Sequence, residues 1–314
     1  MRILFMGTPD FALYSLRVLV ESGEEIIGVV TQPDQPKGRG YVMTPPPVKV
    51  YAQEQGIAVY QPLTLKDDVF FELLQTLAPD LIVVTAYGKI LPEQVLNYPK
   101  YGCVNVHGSL LPEYRGAAPM QRAIMDGKTV TGVTTMMMNK GLDTGDMLLK
   151  GELSIEPDDN FETIHDKMGA CSAEVLLRTL DAIKEGTLVR EVQDHSLATY
   201  AAKIEKSDCV LDFSRPARQL HDQIRGLSPF PLAFTRTPDG KLLKVTAAEV
   251  CEAEGVTAPA GTVISLNGGK VTVACGEGTL SLLAVLPEGK GRMSAEAWIN
   301  GRRVKVGDVL SAQA

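Results

Sequence analysis

Two polar side chains interrupt an otherwise apolar run, Cys103–His107, where a predicted strand ends. Successive side chains of a strand alternate between its faces, so Asn105 and His107 share one face. A strand buried in a parallel sheet is usually apolar on both faces, and ligands of open α/β sheets bind beyond the carboxyl ends of the strands. An amide and an imidazole at such an edge could bind a carbonyl oxygen, stabilise its developing charge and move protons.

The alternative for Asn105 and His107 is a satisfied polar pair that only caps the strand. A tight turn, Gly108-Ser109, follows directly, and polar residues at such turns favour the functional interpretation.

A second candidate is the acidic turn Gly141-Leu142-Asp143-Thr144-Gly145-Asp146, between two predicted strands. Its glycines let the backbone turn sharply and approach other groups closely. An Asp in a turn often hydrogen-bonds its own backbone, and the sequence alone favours this structural role. A catalytic role requires Asp143 to approach His107, which only the fold can bring about.

The first βα turn, Gly7-Thr8-Pro9-Asp10-Phe11, lacks the G-x-G-x-x-G pattern of dinucleotide-binding folds. Pro9 also removes a backbone donor, so an NAD or FAD enzyme is disfavoured. These observations do not argue against a Rossmann-like sheet topology. The alternative role for this turn is a helix cap provided by Thr8 or Asp10.

Alternating strand and helix patterns must position these residues. The predicted strands of the first part are Arg2–Met6, Glu25–Thr31, Ala58–Tyr60, Asp80–Tyr87 and Gly102–His107. Helical patterns separate them at Phe11–Val20, Pro47–Gln55 and Asp67–Leu77, and a longer helix is predicted from Phe161 to Lys184. This alternation predicts a mostly parallel, Rossmann-like sheet with helices on both faces.

Two further strands, Gly132–Met138 and Met147–Ile155, follow and are predicted to pair with each other.

The sequence pattern changes in the last third of the chain. From about Leu232, short strands alternate with Gly-rich turns. Such regular turns are typical of a small antiparallel β-barrel of the OB type. We therefore expect a catalytic domain at residues 1–188, a linker at 189–206 and a barrel domain at 207–314.

Composition excludes several classes of protein. The 314 residues are 45% hydrophobic and 22% charged, as in ordinary globular proteins, and no apolar run is long enough for a membrane span. The five cysteines are scattered without a C-x-x-C pair, which indicates a reducing cytoplasm and no structural zinc. With four histidines and no H-E-x-x-H motif, no catalytic metal is indicated.

Charge is also informative about partners. The formal net charge of -7 argues against a sequence-independent nucleic-acid coat but leaves room for a local basic face. A late cluster offers one, with an ordinary solvated surface as the alternative: Lys290, Arg292, Arg302, Arg303 and Lys305.

The candidate residues also match a known family. The run Asn105-Val106-His107-Gly108-Ser109-Leu110-Leu111-Pro112, with Tyr114-Arg115-Gly116 and the later Gly-Leu-Asp-Thr-Gly turn, resembles the signature of formyltransferases that use 10-formyltetrahydrofolate. The opening Gly7-Thr8-Pro9-Asp10-Phe11 and the segment Gln32-Pro33-Asp34 narrow the match. The resemblance implies that Asn105, His107 and Asp143 are the catalytic set and that the reaction transfers a formyl group to an amine.

The resemblance also implies the substrates. 10-Formyltetrahydrofolate would be the co-substrate, without a metal, and the acceptor would be the α-amino group of methionine on the initiator tRNA, for translation initiation. The folate would contact the turn Ser109, Leu110, Leu111 and Pro112, and its pterin ring would lie against Tyr87, Gly88, Ile90 and Leu91. For Ile90 and Leu91 the alternative is an ordinary place in the core.

The segment Pro33–Pro47 contains five prolines, and we expect it to be a loop without secondary structure of its own. Loops of this kind are usually functional or disordered, and the resemblance implies that Arg39, and also Lys37, contact the tRNA acceptor arm. The basic cluster of the barrel would contribute further tRNA contacts. The alternative for Pro33–Pro47 is a flexible surface loop. We expect a cytoplasmic monomer.

Two rival functions stay open at this point. A formyltransferase acting on a small amine, such as glycinamide ribonucleotide or an amino sugar nucleotide, would share the catalytic set. A non-catalytic RNA-binding module would use the barrel and keep the α/β part as a scaffold, but the intact Asn105, His107 and Asp143 argue against it.

Overall fold

The computed structural model describes residues 1–37, 40–251 and 257–311 of the chain. The chain divides into two compact units. The first consists of Met1–Gly116, Thr131–Leu153 and His165–Ala201, and the second of Ala117–Val130, Ser154–Ile164 and Ala202–Ala314.

The elements of the described residues follow in chain order. The helices are α1 (Asp10–Glu21), α2 (Pro47–Glu54), α3 (Asp68–Leu77), α4 (Glu93–Leu96), α5 (Pro119–Met125), α6 (Phe161–Glu185), α7 (Ala217–Gly226) and α8 (Ala295–Asn300). The strands are β1 (Arg2–Gly7), β2 (Glu25–Val30), β3 (Gln35–Lys37), β4 (Val42–Thr44), β5 (Val59–Tyr60), β6 (Leu81–Thr85), β7 (Cys103–His107), β8 (Arg115–Gly116), β9 (Val130–Met137), β10 (Met147–Ser154), β11 (Tyr200–Ala201), β12 (Ala233–Arg236), β13 (Leu242–Cys251), β14 (Val263–Ser265), β15 (Val271–Ala274), β16 (Thr279–Pro287) and β17 (Met293–Ser294).

The first unit is built on a seven-stranded sheet in the order β10-β9-β7-β6-β1-β2-β5. The strands from β7 to β5 run parallel to their neighbours, whereas β9 is antiparallel to β7. The prediction of a mostly parallel α/β sheet is confirmed. All residues of β6 are buried because a parallel strand is covered on both faces.

Helices do lie on both faces of this sheet. Val84 of β6 packs in an apolar cluster with Phe70 and Leu74 of α3. The next residue, Thr85, points the other way and its hydroxyl donates a hydrogen bond to Ser15 of α1 (3.0 Å). The carboxyl edge of the sheet is left for loops, and these carry the candidate site.

The prediction that residues 33–47 lack secondary structure is wrong. β3 and β4 form a short antiparallel ribbon in which Gln35 pairs with Thr44, and Lys37 with Val42. Each strand has three residues and Val42 and Met43 are exposed, so neither length nor burial leaves a periodic pattern in the sequence.

The second unit contains an antiparallel sheet in the order β12-β13-β16-β15-β14, with β17 paired to β16. The prediction of a separate antiparallel β region is confirmed at this level. Its core takes Leu220 and Ile224 from α7 and the chain's single tryptophan, Trp298, from α8. Trp298 is 2% exposed.

Candidate active site

Asn105 and His107 lie at the carboxyl end of β7, in the middle of the sheet of the first unit. β7 pairs with β6 on one side, where Val84 is opposite Asn105, and with β9 on the other, where Thr134 is opposite His107. Backbone pairing on both sides fixes the positions of the two side chains. His107 is 6% exposed and Asn105 is half-buried.

The two nitrogens of His107 have different partners. Nε2 lies 3.0 Å from the carbonyl oxygen of Tyr114, which can only accept, so Nε2 carries a hydrogen. Nδ1 faces Oδ2 of Asp143 at 3.7 Å. This separation is too long for a hydrogen bond, so Nδ1 faces the carboxylate without being bonded to it.

Asp143 reaches this position through an unusual backbone conformation. Its φ of 50° lies in the left-handed region, which non-glycine residues seldom adopt. A side chain at the neighbouring Gly145 would collide with the carbonyl oxygen of Met137, so the turn needs a glycine there. Oδ2 of Asp143 accepts a hydrogen bond from the Gly116 amide (2.8 Å). The acidic turn thus has a structural role and also brings its carboxylate to His107.

The side-chain amide of Asn105 makes no hydrogen bond with the part of the chain that the structure describes. It is half-buried beside the His107–Asp143 pair on the same strand face. An amide with free donors at a strand end can bind a ligand oxygen. The three residues predicted to form the catalytic set therefore comprise one amide without a hydrogen-bond partner among the described residues and one histidine–carboxylate pair.

The turn predicted to contact folate, Ser109–Pro112, is held mainly by hydrogen bonds within the protein. The Ser109 hydroxyl donates to the Glu113 carbonyl (2.6 Å). Thr134 Oγ1 donates to the Ser109 carbonyl (2.7 Å) and accepts from the Leu111 amide (3.1 Å). Ser109 and Leu111 are buried, while Leu110 and Pro112 are partly exposed, so the latter pair offers the surface for a ligand.

The residues predicted for the pterin pocket also divide into two groups. Tyr87 and Leu91 pack in the apolar core, and burial raises the pKa of Tyr87 to about 12. Gly88 is exposed and Ile90 is 79% exposed. A methyl group added at Gly88 would meet only Nε2 of Gln32, at 3.9 Å. Gly88 and Ile90 therefore form the exposed part of this loop, whereas Tyr87 and Leu91 form its buried part.

Sequence reasoning missed what holds this loop. The carbonyl oxygen of Tyr87 accepts hydrogen bonds from the Thr8 hydroxyl (3.1 Å) and from Nε2 of Gln32 (3.0 Å). Thr8 follows β1 and Gln32 follows β2, and β1 lies between β6 and β2 in the sheet. Polar residues after neighbouring parallel strands were the available signal, since carboxyl ends of such strands share one edge.

Two buried polar residues near Asp143 were also missed as site residues. Arg115 is 2% exposed and Gln193 is 3% exposed, and their side chains are hydrogen-bonded to each other. Gln193 comes from the stretch after α6, where the sequence has no clear period, so nothing in the pattern indicated that it would be buried.

The residues predicted to contact tRNA are placed only in part. Arg39 lies outside the described residues, as does the side chain of Lys37, whose backbone belongs to β3. The late cluster in the second unit is exposed and forms no ion pair with the described residues; we call it the basic surface: Lys290, Arg292, Arg302, Arg303 and Lys305. Nη1 of Arg303 lies 3.9 Å from Sδ of Met293, which brings it close to the strand after Arg292.

Within the described residues, no group of three or more His, Cys, Asp or Glu residues could hold a metal ion. No helix of those residues is both long enough and apolar enough to cross a membrane.

Comparison of the sequence with known protein families gives two matches. The Formyl transferase family matches residues 1–180, and the family described as Formyl transferase, C-terminal domain, matches residues 203–303. The methionyl-tRNA formyltransferase of Geotalea daltonii is 47% identical over 310 residues, which cover 99% of this chain and 98% of that relative. The one of Bacillus subtilis is 48% identical over 310 residues and covers 98% of this chain and 97% of that relative.

Solved structures share the fold at lower identity. An N-formyltransferase from Helicobacter canadensis, in complex with folinic acid and dTDP-3-aminofucose, has a TM-score of 0.65 at 15% identity, covering 89% of this chain and 98% of that one. HypX from Aquifex aeolicus, in complex with tetrahydrofolic acid, has a TM-score of 0.63 at 18% identity. The match covers 97% of this chain, which spans about half of HypX (48%). The chain belongs to the formyltransferase family and, by its identity to relatives over nearly its whole length, to the methionyl-tRNA formyltransferases within it.

Proposed function

We propose that this chain transfers the formyl group of 10-formyltetrahydrofolate to the α-amino group of methionine on the initiator tRNA. The observation that carries the proposal is the pair of buried His107 and partly buried Asp143, 3.7 Å apart, at the carboxyl edge of the sheet. Asn105, whose amide has no hydrogen-bond partner among the described residues, lies next to it on the same strand face. The names of the relatives that match almost the whole chain support the choice of acceptor.

The side chains divide the work of such a transfer. Bound 10-formyltetrahydrofolate supplies an activated formyl carbonyl and a nitrogen leaving group. Asn105 and the Nδ1–H of a cationic His107 donate hydrogen bonds to the formyl oxygen as it gains negative charge, since the Nε2–H is already bonded to the Tyr114 carbonyl. Asp143 keeps His107 charged and oriented and, through a water, helps to remove the proton that the attacking amine loses. The bond between the formyl carbon and the folate nitrogen then breaks as that nitrogen takes up a proton. No covalent intermediate with the protein is required, because the amine is itself the nucleophile.

We propose that the folate lies along the loops at the sheet edge. Leu110 and Pro112 would meet it with their partly exposed side chains, and Ser109 and Leu111 would shape the turn from within. Gly88 and Ile90 would line the pterin pocket, with Tyr87 and Leu91 behind them in the core.

For the tRNA, we propose two groups of contacts. Arg39 and Lys37 of the β3–β4 segment would meet the acceptor arm, and the basic surface of the second unit would meet phosphates elsewhere. The corresponding domains would be residues 1–188 for catalysis and 207–314 for tRNA binding, joined by 189–206. The two family matches, 1–180 and 203–303, support these bounds.

We also propose that the antiparallel sheet closes as a small OB-like barrel, and that the protein acts as a cytoplasmic monomer. The closure is supported by bridges from the last described segment to strands at both edges. Arg236 at the end of β12 pairs with Ser311, and Thr262 just before β14 pairs with Val309.

A formylation assay with the full chain tests the function. Purified protein is incubated with 10-formyltetrahydrofolate and one of three acceptors: methionyl initiator tRNA, glycinamide ribonucleotide or an amino sugar nucleotide. We expect N-formylmethionine on the tRNA and no formylated small amine. Formylation of a small amine alone would contradict the proposal, and binding of tRNA without any formyl transfer would favour the RNA-binding module.

A further inference from the structure

The turn that carries Asp143 is held by one buried side chain. Nε2 of Gln193 donates hydrogen bonds to two carbonyl oxygens of the turn, that of Asp143 (2.9 Å) and that of Gly145 (2.7 Å). These carbonyls lie on either side of Thr144. This amide holds the backbone on which Asp143 adopts its left-handed conformation. Oδ1 of the exposed Asn139 adds a second support, since it accepts from the Gly141 amide (2.9 Å) and from the Thr144 hydroxyl (2.8 Å).

A buried cation sets the orientation of that amide. Oε1 of Gln193 accepts from Nη2 of Arg115 (2.6 Å) and from Nε of Arg115 (3.1 Å). A guanidinium can only donate, so the amide oxygen must face Arg115 and the amide nitrogen must face the turn. Arg115 has no carboxylate partner among the described residues, and its remaining side-chain contact is Nδ1 of His195 (3.0 Å).

The segment Tyr114–Gly116, which contains Arg115, contacts both His107 and Asp143. The carbonyl of Tyr114 accepts from His107, and the amide of Gly116 donates to the carboxylate of Asp143. Arg115 between them holds the backbone of Asp143 through Gln193. The segment itself is anchored by Thr199, whose hydroxyl accepts from the Tyr114 amide (2.8 Å) and whose carbonyl accepts from the Arg115 amide (2.9 Å).

We propose that Gln193, oriented by Arg115, is a positioning residue for catalysis: it sets the place of the Asp143 carboxylate relative to Nδ1 of His107. The proposal rests on the proposed formyl transfer and adds a residue that acts through Asp143 without contacting the substrates. Hydrogen-bonded partners of this kind hold a catalytic group within the narrow range of positions that the reaction needs.

Gln193→Glu is the most specific change. It keeps the side-chain length and an oxygen for Arg115, but places a second oxygen opposite the two turn carbonyls. Neither the carboxylate oxygen nor the carbonyls carry a hydrogen, so both hydrogen bonds to the turn are lost. Gln193→Met removes both sets of hydrogen bonds without adding a charge. His195→Ala is the matched control, since it removes an exposed partner of Arg115 and leaves Gln193 in place.

The experiment is a double-mutant cycle measured by single-turnover formylation of methionyl-tRNA. We expect Gln193→Glu and Gln193→Met each to lower the rate about tenfold in the wild-type background, with the folate dissociation constant unchanged. In an Asp143→Asn background the same changes should cost less than about twofold, because coupled residues give non-additive losses. His195→Ala should stay within about twofold of the wild type.

Each result is decisive. Equal losses in both backgrounds, or full activity in both Gln193 variants, would overturn the positioning role. A general defect in folding would lower the rate equally in both backgrounds and would weaken folate binding. If the wild-type chain itself formylates no methionyl-tRNA, the proposed function fails, whereas an active wild type with indifferent Gln193 variants removes this inference alone.

Discussion

The proposed catalytic set of the first unit and the basic surface of the second differ in how their charged groups are placed. His107 and Asp143 are mostly buried, and each is hydrogen-bonded to the backbone of Tyr114–Gly116. The five cations of the basic surface are exposed and have no ion-pair partner among the described residues. Buried groups that hydrogen bonds hold in place suit catalysis that depends on geometry. Exposed charged groups suit binding that depends on attraction to phosphates. Substitutions in the two regions should therefore change different kinetic parameters.

The largest effect is expected at Asn105. Asn105→Ala removes one donor to the developing negative charge, and such a loss costs about a hundredfold to a thousandfold in turnover. Folate binding should change little, because the bond forms in the transition state. Turnover at saturating folate and the folate dissociation constant are measured on the same preparation. Near-normal turnover would remove Asn105 from the mechanism.

Asp143→Asn should reduce turnover about a hundredfold, as expected when an acid–base partner is lost. The amide keeps the size of the side chain but removes the charge that faces His107. Turnover is measured with both substrates saturating. Full activity would return Asp143 to a purely turn-forming role.

The basic surface should behave differently. Replacing all of its residues with alanine should raise the Michaelis constant for tRNA and leave turnover at saturating tRNA unchanged. Each lost phosphate contact should also flatten the log–log salt dependence of binding by roughly 0.7–0.9. Both parameters are measured over a salt series.

Arg39→Ala is the contrasting variant for that series. We expect it to lower turnover as well as tRNA affinity, because a misplaced acceptor end spoils the attack geometry. If it behaves like the wild type, the β3–β4 segment does not contribute to tRNA binding, which then depends on the basic surface. Loss of turnover in the basic-surface variant at saturating tRNA would contradict the separation of roles.

The smallest effect on activity is expected at a buried ion pair of the second unit. Nε of Arg225 lies 2.8 Å from Oδ1 of Asp222, and both residues are buried. Burial alone would raise the pKa of Asp222, but His221, Arg225 and Arg218 outweigh it and hold the pKa below its ordinary value. Arg225→Met should lower the free energy of unfolding by about 3 kcal/mol, since it removes the cation at 2.8 Å and leaves buried Asp222 with the more distant His221 and Arg218.

The pH dependence of this loss has a definite sign. A carboxylate with a lowered pKa contributes stability above its ordinary value of 3.8, and loses it as the pH falls through the lowered one. The deficit of Arg225→Met should therefore be full at neutral pH and shrink in acid. Fluorescence of Trp298, in the core of the same unit, reports the unfolding. Arg218→Met, at an exposed site, should cost less than about 1 kcal/mol.

Strands and their polar ends were predictable because they leave a local pattern. The apolar run ending at His107 marked a buried strand, and its two polar residues marked the edge where ligands bind. The β3–β4 ribbon was not predictable, since its three-residue strands pair through the backbone and bury almost nothing.

The approach of Asp143 to His107 depends on contacts distant in sequence. The sequence alone favoured a turn, which Asp143 does form, but the Gly116 amide and Gln193 hold that turn at the sheet edge. Gln193 and Arg115 are polar residues without a periodic context, and only the fold buries them. The family resemblance supplied Asp143 as a candidate but gave no sign of what positions it.

The central claim is that the set at the sheet edge carries out the transfer. Its most direct test is the single-turnover rate of His107→Ala with methionyl-tRNA and 10-formyltetrahydrofolate both saturating. We predict a rate at least about a hundredfold below that of the wild type, with tRNA and folate binding preserved. A rate close to that of the wild type would contradict the assignment of His107 and, with it, the proposed mechanism.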